Sequence, residues 1–230
     1  MALTYRALAV LLNYPTTELQ TAVPEIAAML HAEAMVPPPA LAALRPLLDR
    51  LAGEDIYEAQ ERYHMLFDRS RTLSLHLFEH IHGESRDRGQ AMADLLHLYE
   101  ENDLTPRSDE LPDFLPLFLE FLSLRPAEEA RALLREPAGI LATIAARLDA
   151  RDAPYAAAFH ALLALTSEAP VAAEPGVAED PNDLSALDAA WDEAAVHFGP
   201  GEPSDGCSTA RLSLRLRASQ RDARLQETVP

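Results

Sequence analysis

Residues 110–122 read ELPDFLPLFLEFL, and this stretch indicates the fold class most directly. Its apolar side chains share one stripe of a helix: Leu115, Phe118, Leu119 and Leu122. Pro112 suits the first turn of that helix, where the N–H that proline lacks has no intrahelical partner to lose. The stretch therefore predicts an amphipathic helix that buries one face against other elements.

The same helical period extends outward in both directions, from the start of the chain to about residue 165. Thr17 is predicted to cap an early helix, and Leu41–Leu51 predicts a single helix that stops at Gly53. Asn102 stands where the left-handed end of a helix favours glycine or asparagine. These boundaries predict a succession of short helices joined by tight connections.

Residues 73–82 read LSLHLFEHIH, and their period is ambiguous. The alternation of apolar and polar residues suits a strand, but the chain offers no partner strand elsewhere. We therefore predict a short helix here. With only 8 glycines and few β-branched residues, the sequence as a whole indicates an all-α protein.

The composition changes after Ser167, which marks the predicted end of the folded domain. We predict one helical bundle of about eight to ten helices over residues 1–167, followed by a tail. Residues 168–205 contain ten acidic residues and no basic one, so most of the tail is expected to be disordered. A short helix is predicted over residues 184–195, and an arginine-containing segment follows.

The formal net charge of −18 excludes some partners and favours others. A field of that sign repels nucleic acid and anionic lipid, whereas it attracts a basic peptide segment. The single cysteine, Cys207, permits no internal disulfide and is expected to be a free thiol. Without an apolar run long enough to span a bilayer, the chain is predicted to be soluble and cytoplasmic.

The string His76-Leu77-Phe78-Glu79-His80 matches the inverted zinc-protease pattern, H-x-x-E-H. Two histidines one helical turn apart can bind zinc, so a zinc-dependent hydrolase is one hypothesis. The alternative is that the histidines flank apolar residues at a partly buried helix end. Because no phosphate-binding loop, nucleophile elbow or cysteine pair is present, the sequence specifies no reaction, and we predict a non-catalytic protein.

Residues 84–88, Glu-Ser-Arg-Asp-Arg, form a dense cluster of charge at a predicted helix start. Arg86 and Arg88 lie near the positive end of that helix, where acids are the more favourable residues. Two interpretations stay open for the arginines: an internal ion pair, or exposed recognition of a partner.

Three segments carry a resemblance to a known family. They are YHMLFD at residues 63–68, SLHLFEHIHGESRDRGQAMADL at residues 74–95, and the stretch at residues 110–122. Together they resemble the nitrate reductase molybdenum-cofactor assembly chaperones, the NarJ or delta-subunit branch of the TorD-like chaperones. The resemblance covers about residues 4–165 and returns faintly at residues 191–198.

The resemblance implies an all-helical protein that is absent from the finished enzyme. Such chaperones bind the apo catalytic (alpha) subunit of respiratory nitrate reductase through its N-terminal leader segment. They hold it for insertion of the molybdenum cofactor before membrane docking, in nitrate respiration and assimilation. The cofactor belongs to the client, so none is assigned to this chain. Contact with cofactor-biosynthesis proteins is a further implication, and a generic helical scaffold is the remaining alternative.

A helical leader peptide would require an apolar groove with acids at its rim. The apolar candidates are Tyr63, Leu66, Phe67, Phe78, Phe114, Leu115 and Phe118. The polar candidates are Asp68, Glu79, His80, Glu84, Arg86, Glu110, Asp113 and Glu120. Plain core packing for the aromatics and a solvated face for the acids are the competing interpretations of each residue.

Overall fold

The computed structural model describes residues 2–69, 71–82, 86–102, 104–106 and 110–166. Within these ranges the helices are α1 (Leu3–Leu11), α2 (Thr17–Glu33), α3 (Pro38–Ala43), α4 (Arg45–Gly53), α5 (Ile56–Tyr63), α6 (Glu79–His82), α7 (Arg86–Glu101), α8 (Leu115–Ser123), α9 (Ala127–Arg135), α10 (Ala138–Asp149) and α11 (Ala156–Leu165). A π-helical turn, His64–Asp68, continues α5, and a 3₁₀ turn spans Arg71–Leu73. The prediction of an all-α fold is confirmed. The predicted tail and its short helix lie outside the described residues.

The α1 helix is the centre of the bundle, and it buries the apolar side chains of Tyr5, Ala7, Leu8, Ala9 and Leu11. It packs mainly against α8 and α2, and α11 also touches it. Two further pairs, α10 with α11 and α2 with α4, complete the packing, and α11 also contacts α3. Glu33 at the end of α2 fixes the start of α1 by accepting from Leu3 N at 2.9 Å.

Two predicted boundaries in the first third of the chain are corrected. Thr16, not Thr17, caps α2, because its hydroxyl accepts from Leu19 N at 3.2 Å. The single helix predicted across Leu41–Leu51 is two helices that meet at Leu44. Pro46 causes the break, since it cannot donate an N–H to the helix before it.

Two more corrections concern helix ends around α7 and α8. Asn102 closes α7 through its side chain, whose Nδ2 donates to Leu98 O at 2.8 Å. Pro112 precedes α8 instead of opening it, and its carbonyl accepts from Tyr99 Oη at 2.9 Å. The proline in the first turn of α8 is Pro116.

The short helix predicted over residues 73–82 is wrong for most of its length. Only Glu79–His82 is α-helical, and His76 forms an isolated antiparallel bridge with Phe114. The alternating pattern was a true sign of extended backbone. The bridge partner of His76 is a single residue, Phe114, in the turn before α8. The sequence around Phe114 has no strand-like pattern that would predict this pairing.

Candidate functional site

The second and third family-like segments meet in one place, which we call the motif joint (residues 74–80 and 111–115). Leu77 N donates to Asp113 O at 3.0 Å, and Leu115 N donates to Leu75 O at 2.8 Å. These two bonds flank the bridge between His76 and Phe114, whose rings lie 5.3 Å apart. The joint therefore fixes an extended segment against the start of α8.

Asp113 is the polar centre of the motif joint, and its side chain is fully buried. Its Oδ2 accepts from Phe78 N at 3.0 Å, and its Oδ1 lies 3.3 Å from His76 Nδ1. The hydrogen bond with Asp113 raises the pKa of His76. The sequence analysis placed Asp113 at an exposed rim; the structure places it in the interior, where its carboxylate satisfies groups of its own chain.

His80 lies in the same joint but points to a different partner. Its Nε2 lies 2.8 Å from Ser74 O, and because a carbonyl only accepts, the ring must donate from Nε2. Burial lowers the pKa of His80, which favours the neutral ring. His76 and His80 do not share a helix, so the two-histidine zinc geometry predicted from helical spacing is absent from this segment. Among the described residues, no three His, Cys, Asp or Glu side chains group as a metal site requires.

The first family-like segment builds an aromatic cluster around Tyr63. The Tyr63 ring packs against Phe67 at 4.9 Å and Tyr14 at 5.5 Å, and Phe67 meets Tyr155 at 5.1 Å. Tyr63 Oη donates to Leu12 O at 3.0 Å, and burial raises the pKa of the phenol. The cluster ties α5 and the π-helical turn to the end of α1.

The structure places most of the predicted groove aromatics in the core. Tyr63, Phe67, Phe78, Leu115 and Phe118 are buried, while Leu66 and Phe114 are half-buried. None of the five buried side chains is displayed to a partner. Their competing interpretation as core packing matches these positions.

Two of the predicted acids remain exposed on one side of the aromatic cluster. Asp68 pairs with His64 Nδ1 at 3.0 Å, and Glu110 is exposed near the start of the motif joint. Both carboxylates raise the pKa of Tyr63, so both lie within electrostatic reach of its hydroxyl. Exposed Leu111 follows Glu110 in the chain, and Tyr14 contacts Tyr63 from the surface. We call Tyr14, Asp68, Glu110 and Leu111 the acidic face.

The remaining polar candidates have other positions. Glu79 pairs with Arg88 at 3.3 Å, which supports the internal ion-pair interpretation for that arginine. Glu120 is half-buried on α8. Arg86 begins α7, but its side chain and the whole of Glu84 lie outside the described residues.

Sequence reasoning missed an open apolar groove of about 460 Å³ between α2, α3 and α4. We call it the α2–α4 groove. Its apolar lining consists of Val23, Pro24, Ala27, Leu41, Ala42, Leu48 and Ala52. Three polar residues also line it: His31, Arg45 and Asp49. The alanines on facing helices were the available signal, but small residues also suit close helix packing, so the signal was ambiguous.

Comparison with known proteins assigns the family. The sequence model described as nitrate reductase delta subunit matches residues 16–161. The chain belongs to the nitrate reductase delta subunit family.

Relatives support the assignment over nearly the whole length. The "nitrate reductase molybdenum cofactor assembly chaperone NarJ" of Escherichia coli K12 is 42% identical over 211 residues, which covers 90% of this chain and 88% of NarJ. The probable assembly chaperone NarW of the same organism is 42% identical, covering 75% of this chain and 76% of NarW. The probable assembly chaperone NarJ of Bacillus subtilis is 30% identical, covering 70% of this chain and 87% of the relative.

The delta-subunit match contains the motif joint, both acids of the acidic face, and Tyr63, Phe67 and Tyr155 of the aromatic cluster. It therefore covers the segments on which the resemblance rested. Among the helices that the structure describes, none combines the length and the apolar character needed to cross a bilayer.

Proposed function

We propose that this chain is a cytoplasmic assembly chaperone of respiratory nitrate reductase. It binds the apo catalytic subunit through the N-terminal leader segment and keeps the subunit receptive to the molybdenum cofactor before membrane docking. Contact with proteins that deliver the cofactor belongs to the same proposal. The observation that carries it is the 42% identity to a named assembly chaperone across 90% of this chain and 88% of that relative.

The geometry of the candidate site supports binding more than catalysis. Asp113, His76 and His80, the groups with the most enzyme-like sequence pattern, are engaged with backbone groups or with one another. The role proposed here requires no chemistry from the chain itself, because the cofactor is bound by the client. A surface that recognises a peptide is sufficient.

The acidic face is the part of the predicted site that such a peptide could reach. It combines exposed carboxylates with exposed apolar side chains, and both are needed to hold an amphipathic basic segment. The net charge of −18 adds long-range attraction for a cationic ligand. We therefore place the leader peptide against Asp68 and Glu110.

Calorimetric titration with the leader peptide of the catalytic subunit tests the proposal. Asp68→Asn combined with Glu110→Gln should weaken binding roughly twofold to thirtyfold, because each exposed charge contributes about 0.2–1 kcal/mol. Added salt should weaken peptide binding by the native protein more than it weakens peptide binding by this variant. The matched control is Glu25→Gln combined with Glu100→Gln, which removes two exposed acids elsewhere. Undetectable binding by the native chain would overturn the proposed function, and equal weakening by both pairs would overturn the location.

A further inference from the structure

The α2–α4 groove has no role in the proposal above. Its rim holds one cation, Arg45, and one acid, Asp49, so it lacks the acidic character that a basic leader peptide requires. Arg45 and His31 are exposed at its rim, in a protein whose net charge is −18. The only described ion pair at the rim joins Arg45 to Asp49 at 3.3 Å, and both side chains are largely exposed. Such a pair is worth little, so Arg45 remains available to a second carboxylate. The groove is thus matched to an apolar segment that carries acids.

The chain itself contains a segment of that kind, residues 184–198, which we call the tryptophan segment. Its apolar side chains fall on one stripe at helical spacing: Leu184, Leu187, Trp191, Ala194 and Phe198. At about 100° per residue, Asp183 and Asp188 flank this stripe on its two sides. Gly199 and Pro200 follow as helix-stop residues. The pattern is that of an amphipathic helix with an acidic border.

The last helix of the described residues packs beside the groove. The last helix, α11, packs against α3, which forms one wall of the groove. The length of chain between Thr166 and Leu184 would span roughly 20–25 Å as a random coil, and α11 is itself only about 15 Å long. The tryptophan segment can therefore reach the groove from either end of α11.

The similarity to NarJ extends beyond the last described helix. The alignment covers 90% of the 230 residues, which is more than the chain up to Thr166 contains. It must therefore continue into the tail.

We propose that the tryptophan segment docks as a helix in the α2–α4 groove of its own chain. The stripe of Leu187 and Trp191 fills the apolar floor, and Asp183 or Asp188 meets Arg45 and His31 at the rim. Tethering places the segment at an effective concentration in the millimolar range, so a modest apolar contact is enough to keep it bound. This inference does not depend on the identity of the client.

Trp191 is the single tryptophan of the chain, so its fluorescence reports this contact in the full-length protein without a label. We expect a blue-shifted emission and protection from acrylamide. Ala42→Glu combined with Ala52→Glu should shift the emission to the red and remove the protection, because both exposed alanines line the groove. Leu187→Asp, within the segment, should give the same result.

Ala132→Glu combined with Ala93→Glu is the matched control, since both alanines are exposed away from the groove. This control should leave the emission unchanged, and circular dichroism should show the same helical melt for every variant. Emission and quenching equal to those of free tryptophan in the native chain would overturn the proposal. Protection that survives the groove substitutions, or that disappears on dilution, would overturn it in favour of another site or a second copy of the chain.

Discussion

The motif joint and the α2–α4 groove are opposites in sequence and in exposure. The joint is built from the segments that identify the family, yet its central carboxylate, on Asp113, is fully buried. The groove is lined mainly by alanine, leucine, valine and proline in no recognisable order, yet it is an open apolar surface. The most recognisable stretch of this sequence thus holds the framework together, while inconspicuous residues line an open groove.

The physical reason lies in the cost of burying polar groups. Asp113 must satisfy its lone pairs inside the protein, and Phe78 N and His76 fit that requirement only with the backbone in one arrangement. Few sequences meet such a demand, so the joint has a distinctive signature. The groove requires only small or apolar side chains, which many sequences provide.

The largest difference between the two regions should appear in stability. Asp113→Ala should lower the free energy of unfolding by about 3 kcal/mol, because the buried Phe78 N and the half-buried His76 ring both lose their acceptor. Asp49→Ala, at the groove rim, should change it by less than about 0.5 kcal/mol. Urea denaturation measures both. Asp113→Asn should recover part of the loss, since the amide oxygen can still accept from Phe78 N. A loss for Asp49→Ala as large as that for Asp113→Ala would contradict the contrast.

A smaller loss of stability is expected when the hydroxyl of a buried tyrosine is removed, and an exposed tyrosine provides the comparison. Tyr63→Phe should cost about 1 kcal/mol, because it removes the buried hydrogen bond to Leu12 O. Tyr57, whose side chain is 77% exposed, provides the control. Tyr57→Phe should leave the urea midpoint unchanged, and an equal shift for both variants would refute a structural role for the Tyr63 hydroxyl.

The two histidines of the motif joint should make the free energy of unfolding depend on pH in opposite directions. These effects should be smaller than those of the substitutions above. The pKa of His76 is raised in the folded protein. The contribution of His76 to stability is therefore complete below about pH 6.5 and is lost as the pH rises through the pKa of the folded state. The pKa of His80 is lowered, so its contribution is complete above about pH 6.5 and is lost as the pH falls.

Unfolding free energies measured between about pH 5 and pH 8 test this difference. The stability advantage of the native chain over His76→Gln should shrink as the pH rises. Its advantage over His80→Gln should grow. If the stability advantage of the native chain changed with pH in the same direction for both variants, the partners of one histidine would be misassigned.

Much of the fold could be predicted because helical periodicity depends on neighbouring residues alone. The apolar stripe of α8 and the succession of helices before and after it follow from spacing. What failed were features that depend on distant partners. The extended backbone at His76 is specified by Phe114, and the role of Asp113 by Phe78 N.

The candidate site was less predictable for a related reason. Exposed Asp68 and Glu110 look no different in the sequence from buried Asp113, because burial is decided by packing across the fold. Phe67 and Phe78 carry an apolar signal that serves equally for a core or a groove. The family resemblance identified the segments that matter without indicating which side chains they display.

The central position of α1 has a consequence for how the protein is made. The helix is synthesised before α8, its principal neighbour, and before α11, which also packs on it. Until residues near Leu115 and Leu165 have been synthesised, the buried leucines of α1 are covered only in part, by α2. A newly made chain thus carries a partly exposed apolar helix while the intervening helices are made, and we expect it to need protection by general chaperones during that interval. The proposed assembly chaperone would therefore itself depend on general chaperones during its own synthesis.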